Sequence, residues 1–590
     1  MSHRGPDDYS SFQDQKISLF HNRLQILGSR SGGRQPMASK DNNKRFRLVF
    51  NGEIYNFREL QEKYKLKNSS NSDTEILLQL LALQGKEILS ELRGIYALAF
   101  YDRQDSKLLL ARDPFGVKPL FYKQKEGLIA FASEMRALIE KRTQFNESAI
   151  FHYLQSGLLL HNQATFFEEI LQFPPGHCCE LNLNNKETVW TKFHKLKRPQ
   201  WSELIRDPQE ASNLFAQHFQ RAIERNLVSD VELAISLSSG IDSFLIASFL
   251  KKSNTQLRAF SFGFEELEYD EVNRLHPSIK ESLCVTPCYL SKSEFLPALQ
   301  EATYFFESPL GGLGTLSAFK LNKLVKSCKI KVLLSGEGSD ENFAGYKYYL
   351  KHYLNDLANR NEERLLMSEI TAYNKRFHDQ LNLRDFISKG NIQDEIEMLA
   401  PDGTTLSSRY LGKRFDSSYE QSSISIQGDS SLSTRMLSDL YSLKLPKLLH
   451  FQDRASMANS IENRVPFLDE DLVQFASSLH PSLLIKDSLG KALFPGVLKQ
   501  ETGIDWKEEP KHFVATPQRE WLKDPKIQAE ILETTRYGKS FKDDWIDFER
   551  FEKQYNEYVK SPILGNSFFV WKVISLEYFL KTNYQNPQAT

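Results

Sequence analysis

The sequence predicts two fold types in series. Stacked, mostly antiparallel sheets with intervening helices run to about residue 195, and a doubly wound parallel α/β sheet with a helical end begins near residue 205. Three observations predict this. The first third holds short strand-like runs at 47–50, 97–101, 108–111 and 129–132, punctuated by turn residues. Beyond it, apolar runs alternate with segments of helical period. Two of those runs, 231–237 and 330–334, each end in a loop of small residues that carries an acid.

In order along the second part, Leu214, Phe215, Phe219 and Ile223 recur at helical spacing and predict a helix over 211–226. A buried strand follows at 231–237, then the loop Ser238-Ser239-Gly240-Ile241-Asp242-Ser243, then an apolar helix face at 244–250. Residues 258–263 read as the next strand. Tyr269-Asp270-Glu271 places an acid pair at the opening of a helix, where the dipole favours negative charge. The run 330–334 leads into Ser335-Gly336-Glu337-Gly338-Ser339-Asp340-Glu341. The Ser-rich stretch 416–433 reads as a flexible surface loop. Residues 568–580, interrupted by Lys572 and Glu577, read as a buried helix too short for a bilayer.

The loop after Leu237 has the composition of a pyrophosphate cradle. Ser238, Ser239 and Gly240 expose backbone N–H groups, and the helix that begins around Asp242 and Ser243 adds its positive end. Asp242 and Asp340 are the residues expected to hold Mg²⁺ between phosphate oxygens. In open α/β sheets, ligands sit at such strand C-terminal ends.

These two loops resemble the ATP-pyrophosphatase loop and its companion in the asparagine synthetase family. The resemblance implies an ATP-dependent, AMP-forming amide synthetase that adenylates a carboxylate and lets ammonia displace AMP. The family usually has Gly where Ser239 stands, but a Ser still offers its N–H. Glu337 is then the candidate catalytic base for the attacking amine. Ser335 and Gly336 would touch ribose or the α-phosphate, and Phe262 would lie against adenine. Pro510-Lys511-His512-Phe513 resembles the family's lysine loop, with Glu509 in place of Arg and one Gly missing. Lys511 is the candidate to stabilise charge on the leaving pyrophosphate. Asp453 and Arg454 are expected near the acceptor or the phosphates, Arg464 and Asp469 in architecture, and Met457 in the core.

Earlier signatures are His3-Arg4-Gly5-Pro6-Asp7, Arg23-Leu24-Gln25-Ile26, Asn51-Gly52-Glu53-Ile54-Tyr55-Asn56, Ser72-Asp73-Thr74-Glu75, Arg112-Asp113-Pro114-Phe115-Gly116 and Ser133-Glu134. In that order they resemble the class II glutamine amidotransferase domain, whose N-terminal-nucleophile fold is α+β with stacked sheets. Arg23 suits a carboxylate, Asp73 with Glu53 an ammonium, and the Asn51 side chain with the Gly52 N–H an oxyanion. The family's nucleophile is a cysteine at the mature N-terminus whose own amine is the base. Here the chain opens at Met1-Ser2-His3-Arg4, and no cysteine precedes Cys178 and Cys179. The expectation is a sequence truncated against the family pattern, which as written does not hydrolyse glutamine. The rival expectation is a chain that uses free ammonia. Any ammonia path between domains would be apolar, with walls the sequence does not identify.

The expected domains are therefore an amidotransferase domain over 1–195, lacking its first strand and nucleophile, and an ATP-pyrophosphatase domain over 205–590. Aspartate is the default acceptor. Yet residues 307–315 lack the Arg that binds the aspartate backbone carboxylate in the family, the nearest cation is Lys320, and the glycines at 311, 312 and 314 suggest room for a bulkier acid such as a sugar uronate. A catalytically silent homologue is the other alternative. A net charge of −1 over 590 residues gives no electrostatic case for nucleic acid or a membrane surface. Five scattered cysteines make neither a disulfide framework nor a metal site, so a cytoplasmic setting fits. Expected partners are small molecules: ATP, glutamine or ammonia, and a carboxylate acceptor. A homodimer is possible by family precedent.

Overall fold

The computed structural model describes residues 1–28, 32–67, 71–125, 128–252, 258–378, 409–415, 431–506, 516–563 and 565–584. The loop predicted at 416–433 lies outside the described residues except for its end at 431–433.

The first part is built of antiparallel strands. β1 (Asp8–Gln13) and β2 (Ser18–Arg23) pair as a hairpin. Then come β3 (Met37–Ala38), β4 (Phe46–Ile54), β5 (Gly94–Asp102), β6 (Lys107–Arg112), β7 (Phe121–Lys125), β8 (Leu128–Ala132), β9 (Leu171–Gln172), β10 (His177–Asn182) and β11 (Thr188–Lys192). A six-stranded sheet runs β11-β10-β6-β5-β4-β3, and β8-β7-β9 forms a second. The period of two sorts the side chains. Leu48, Phe50, Leu98, Phe100 and Leu109 pack with Ile76, Leu77 and Leu80 of the helix Asp73–Gln84. Val49, Ala97, Ala99, Tyr101, Leu108 and Leu110 face the other way, against Leu19, Tyr122 and Phe173. Both faces are covered, so β5 is buried along almost its whole length.

The second part is a five-stranded, all-parallel sheet of order β14-β13-β12-β15-β16. Its strands are β12 (Leu233–Leu237), β13 (Arg258–Phe264), β14 (Val285–Leu290), β15 (Val332–Leu334) and β16 (Glu462–Arg464). Helices Pro208–Asn226 and Ile241–Lys252 cover one face through Phe215, Phe219, Ile223 and Phe244. Helix Leu313–Ser327 covers the other through Leu321 and Val325. β12 starts two residues later than its apolar run because Ser229 Oγ bonds both the N–H and the carbonyl of Val231, a local turn. The chain builds outward from β12 through β13 to β14, then returns to add β15 and β16 on the opposite side. The order therefore reverses between β12 and β15, and a crevice opens beyond their carboxyl ends. Helix Phe568–Tyr584 is buried in the large aromatic core of the helical end, as its sequence predicted.

The two parts meet across buried ion pairs. Arg4 grips Asp453 in a bidentate pair at 2.7 and 2.9 Å. Glu134 takes His3 at 2.8 Å and Arg4 at 3.4 Å. Lys118 reaches Glu462 at 3.0 Å and the half-buried pair Lys331–Asp7 closes at 2.7 Å, while Arg454 is held within the second part by Glu307 at 2.9 Å. Asp453 and Arg454 are thus committed to this seam rather than to an acceptor or a phosphate. Both buried guanidiniums are held by carboxylates of the seam and so are not available to a ligand. Asp469 is architectural as expected: it caps helix Glu470–Ala476 and pairs with Arg225 at 3.0 Å.

Candidate functional site

Two constellations stand out. The first lies in the crevice at the ends of β12 and β15. The loop after β12 is closed by its own hydrogen bonds: Ser238 N–H donates to Ser243 Oγ at 3.1 Å, and Gly240 N–H to Ser238 Oγ at 3.3 Å. Ser239 N–H donates at 2.7 Å to Glu271, so a carboxylate already fills the predicted anion cradle. The acid pair at the opening of the helix is divided in role. Asp270 caps helix Glu271–Arg274, while Glu271 reaches across to the loop.

Asp242 begins the next helix and Asp340 lies in the loop after β15. Both carboxylates converge on Lys491, whose Nζ is 2.8 and 2.6 Å from the Asp242 oxygens and 2.5 Å from Asp340 Oδ1. Ser339 Oγ also donates to Asp242 at 2.9 Å. Burial disfavours the Lys491 ammonium, but Asp242 and Asp340 outweigh it and hold its pKa above the usual lysine value. Lys491 was not found by sequence reasoning. It sits outside every motif, in a turn at φ 58°, and its N–H donates to Phe343 at 2.9 Å. The preceding Gly490 packs closely, since a Cβ there would come within 1.9 Å of the Ala344 carbonyl.

Glu337 accepts from Ser335 Oγ, which also bonds Asn463 Oδ1 at 2.9 Å. Burial raises the Glu337 carboxyl above the usual carboxylate value. Gly336 lies against Asp242, since a Cβ there would be 3.3 Å from the Asp242 Cβ. Phe262 sits within β13 and packs edge-on to Phe264 at 5.0 Å. Lys511, with 507–515, lies outside the described residues.

The acceptor reading needs correction. Gly311 leaves no room, because a Cβ would come within 2.2 Å of the Phe451 ring; the glycine admits Phe451 rather than a substrate. Lys320 is tied to the Glu294 carboxylate at 2.6 Å on the surface.

The second constellation is a cavity of about 120 Å³ in the first part. Arg23, Asn51, Gly52, Glu53 and Asp73, named separately from the sequence, all line it. Asn51 and Gly52 lie on β4, so this signature is strand and not turn. Gly52 has φ 143°, and a Cβ would meet the Ile95 carbonyl at 1.9 Å. Arg23 Nη2 donates to the Leu27 carbonyl at 2.7 Å. Asp73 accepts from Ile54 N–H at 3.0 Å and Thr74 N–H at 2.7 Å; burial nevertheless pushes it up to about 6. Burial also raises Glu53 well above the usual value. Cys178 and Cys179 are far from this chemistry: both are buried in β10, where desolvation pushes each thiol up to about 11.

The cavity extends to the seam, where Lys118, Met457 and Glu462 line it. A void of about 10 Å³ follows, lined by Lys118, Asp453, Ser456 and Asn463. Asn463 in turn bonds Ser335 in the crevice loop. Val117 and Leu449 also line that void.

A profile described as glutamine amidotransferase domain matches residues 1–194, and one described as asparagine synthase matches residues 214–582. The chain belongs to the asparagine synthase family. Glutamine-hydrolyzing asparagine synthetase 1 of Bacillus subtilis is 29% identical over 555 residues, 88% of this chain and 83% of that one. Asparagine synthetase 2 of the same organism is 30% identical over 537 residues, 87% of this chain and 67% of that one. Asparagine synthetase 3 is 25% identical, covering 92% and 91%. As a member of the asparagine synthase family, the chain is a carbon–nitrogen ligase of an ATP-using class. Among the described residues no helix is long and apolar enough to cross a membrane. None of them forms a cluster of three or more His, Cys, Asp or Glu suited to a metal.

Proposed function

We propose that this chain forms AMP from ATP while joining ammonia to a carboxylate, by default that of L-aspartate. The observation that carries the reading is the meeting of Asp242, Asp340 and Glu337 at the switch point between β12 and β15. In this reading the domains run over 1–195 and 205–590, bounds supported by the profile matches at 1–194 and 214–582. Substrates are small molecules, the setting is cytoplasmic, and a homodimer is the assembly expected from the resemblance.

Asp242 and Asp340 are the residues to hold Mg²⁺, because two hard carboxylate oxygens converge on a single cation position, taken here by Lys491. The ion, when bound, neutralises phosphate charge. The backbone N–H groups of Ser238, Ser239 and Gly240 would orient the pyrophosphate once they leave Ser243, Glu271 and the Ser238 hydroxyl. Ser335 and Gly336 border the ribose side, with Phe262 at the adenine side. Lys511 and Lys491 offset charge on the departing pyrophosphate. Glu337, already raised by burial, takes the proton lost by the attacking amine. In the other cavity, Arg23 would hold a carboxylate, Asp73 and Glu53 an ammonium, and Asn51 with the Gly52 N–H an amide oxygen. Cys178 and Cys179 do not line that cavity, and the nitrogen in this reading is ammonia nominally derived from glutamine.

The test is AMP formation from ATP·Mg²⁺ with ammonium and L-aspartate, with Lys511→Ala as control. AMP matched by asparagine, and lost in the variant, establishes the reading. No AMP from a protein that binds ATP refutes aspartate as acceptor. A second reading, an acceptor such as a uronate, is favoured by one observation: Lys320 is already paired with Glu294. The same assay with uronates decides it.

A further inference from the structure

Glu53 is a buried acid of the first cavity, and its Oε2 has no hydrogen-bond partner. The nearest cation belongs to the other half of the molecule. Arg464 Nη2 stands 3.8 Å from Glu53 Oε1 and is itself buried without a hydrogen-bond partner. The rest of the guanidinium is fixed: Nη1 donates to the carbonyls of Asn226 at 2.8 Å and Val228 at 2.7 Å, and Nε to Glu462 at 2.9 Å. Arg464 therefore acts on Glu53 through its field, without consuming the lone pairs a ligand ammonium would need.

We propose that Arg464 is a positioning residue of the glutamine pocket, supplied across the domain seam so that Glu53 can meet the ligand's ammonium as a carboxylate. The proposal rests on the amidotransferase reading of that cavity. The groups around Glu53 are Asp73 and Glu462 on the acidic side, Arg23, Lys118 and Arg464 on the basic side, and the Tyr55 hydroxyl. With Glu53 ionised, three acids balance three bases, and a zwitterionic amino acid enters without net charge. Without Arg464 the pocket has one acid too many and keeps a proton instead. Burial, Asp73 and Glu462 already push Glu53 up, while Arg464 is the first of the groups that pull it back. The same residue reaches the crevice, because its carbonyl accepts Ser335 N–H at 3.0 Å.

The experiment is calorimetric titration of L-glutamine into the full chain at pH 6.5, 7.5 and 8.5. Wild type, Arg464→Met, Arg464→Lys and Glu53→Gln are compared, with ATP binding as a check on folding. Arg464→Met should weaken glutamine binding about tenfold at pH 6.5, one unit of differential protonation, and the gap should narrow toward pH 8.5. Arg464→Lys should keep binding within about threefold of wild type, since it keeps the charge. If Arg464→Met does not fold, rescue by Lys against loss in Glu53→Gln decides the matter. A loss equal at every pH, no loss, or a Lys variant as weak as Glu53→Gln would overturn the proposal. A wild type that binds ATP but no glutamine at any pH overturns the amidotransferase reading itself, and the proposal with it.

Discussion

Lys491 Nζ lies 2.6 Å from Asp242 Oδ2, closing with Asp340 a triad that joins three distant stretches of sequence. One buried ammonium thus screens two acids that otherwise repel, and leaves one negative charge over. Lys491→Met leaves them facing each other, and removing one partner of a buried pair costs about 3–5 kcal/mol. We expect AMP formation to fall about 10²-fold or more. We also expect Mg²⁺ to raise the melting temperature of the variant more than that of the wild type, because the dication can then fill the emptied position. Thermal denaturation with and without Mg²⁺ checks this; an equal response in both proteins would rule out a shared cation position.

In the proposed reaction Glu337 acts in the second half only. Its carboxyl is raised by burial and held by Ser335, which suits an acid that must accept a proton late. Glu337→Gln should lower amide formation about 10²–10⁴-fold while sparing adenylation. Exchange of labelled pyrophosphate into ATP reads adenylation alone. Loss of exchange in step with amide formation would move Glu337 to an earlier role.

The parallel sheet and the crevice were legible because they are written locally. An apolar run followed by small residues and an acid means a strand, a turn and a helix start, and both instances lie at the switch point. The five cavity residues at 23, 51, 52, 53 and 73 were legible as ordered signatures. What stayed hidden depends on long-range pairing. Nothing near Lys491 marks it as the partner of Asp242, 249 residues away. Arg454 looked available until Glu307 and Asp453 claimed it. Gly311 looked like space because the sequence cannot show that Phe451 fills it.

His450 should set part of the acid sensitivity. Its Nε2 meets the Phe306 carbonyl at 2.9 Å and Ser308 Oγ at 3.1 Å, and burial, aided by Arg454, lowers its pKa to about 3. The folded value is depressed, so the unfolded chain binds the proton first. Stability is therefore lost as pH falls from about 6.5 toward 3, by up to about 1.4 kcal/mol per pH unit. His450→Gln cannot take that proton. Urea unfolding between pH 7 and 4 should give a slope shallower by about one proton in the variant, and equal slopes would mean that the unfolded and folded states protonate His450 alike.

Gly52 is the backbone on which the glutamine pocket depends. At φ 143° an L side chain is strained, and its Cβ would sit 1.9 Å from the Ile95 carbonyl oxygen in the adjoining strand. The clash is with the backbone of β5, so no side chain can swing away to relieve it. Gly52→Ala must push β4 from β5 or turn its N–H out of the pocket, at a cost of about 3 kcal/mol or more. Gly85 is the matched control: φ 61°, yet nothing lies within 4 Å of a Cβ there. Gly85→Ala should therefore cost only its backbone strain, about 1–3 kcal/mol at φ 61° and ψ −142°, with no clash added. Chemical denaturation of the two variants reads the difference directly. A Gly52→Ala protein no less stable than Gly85→Ala would mean that the two strands can part at this point, and that the Gly52 N–H is not fixed as an oxyanion donor must be.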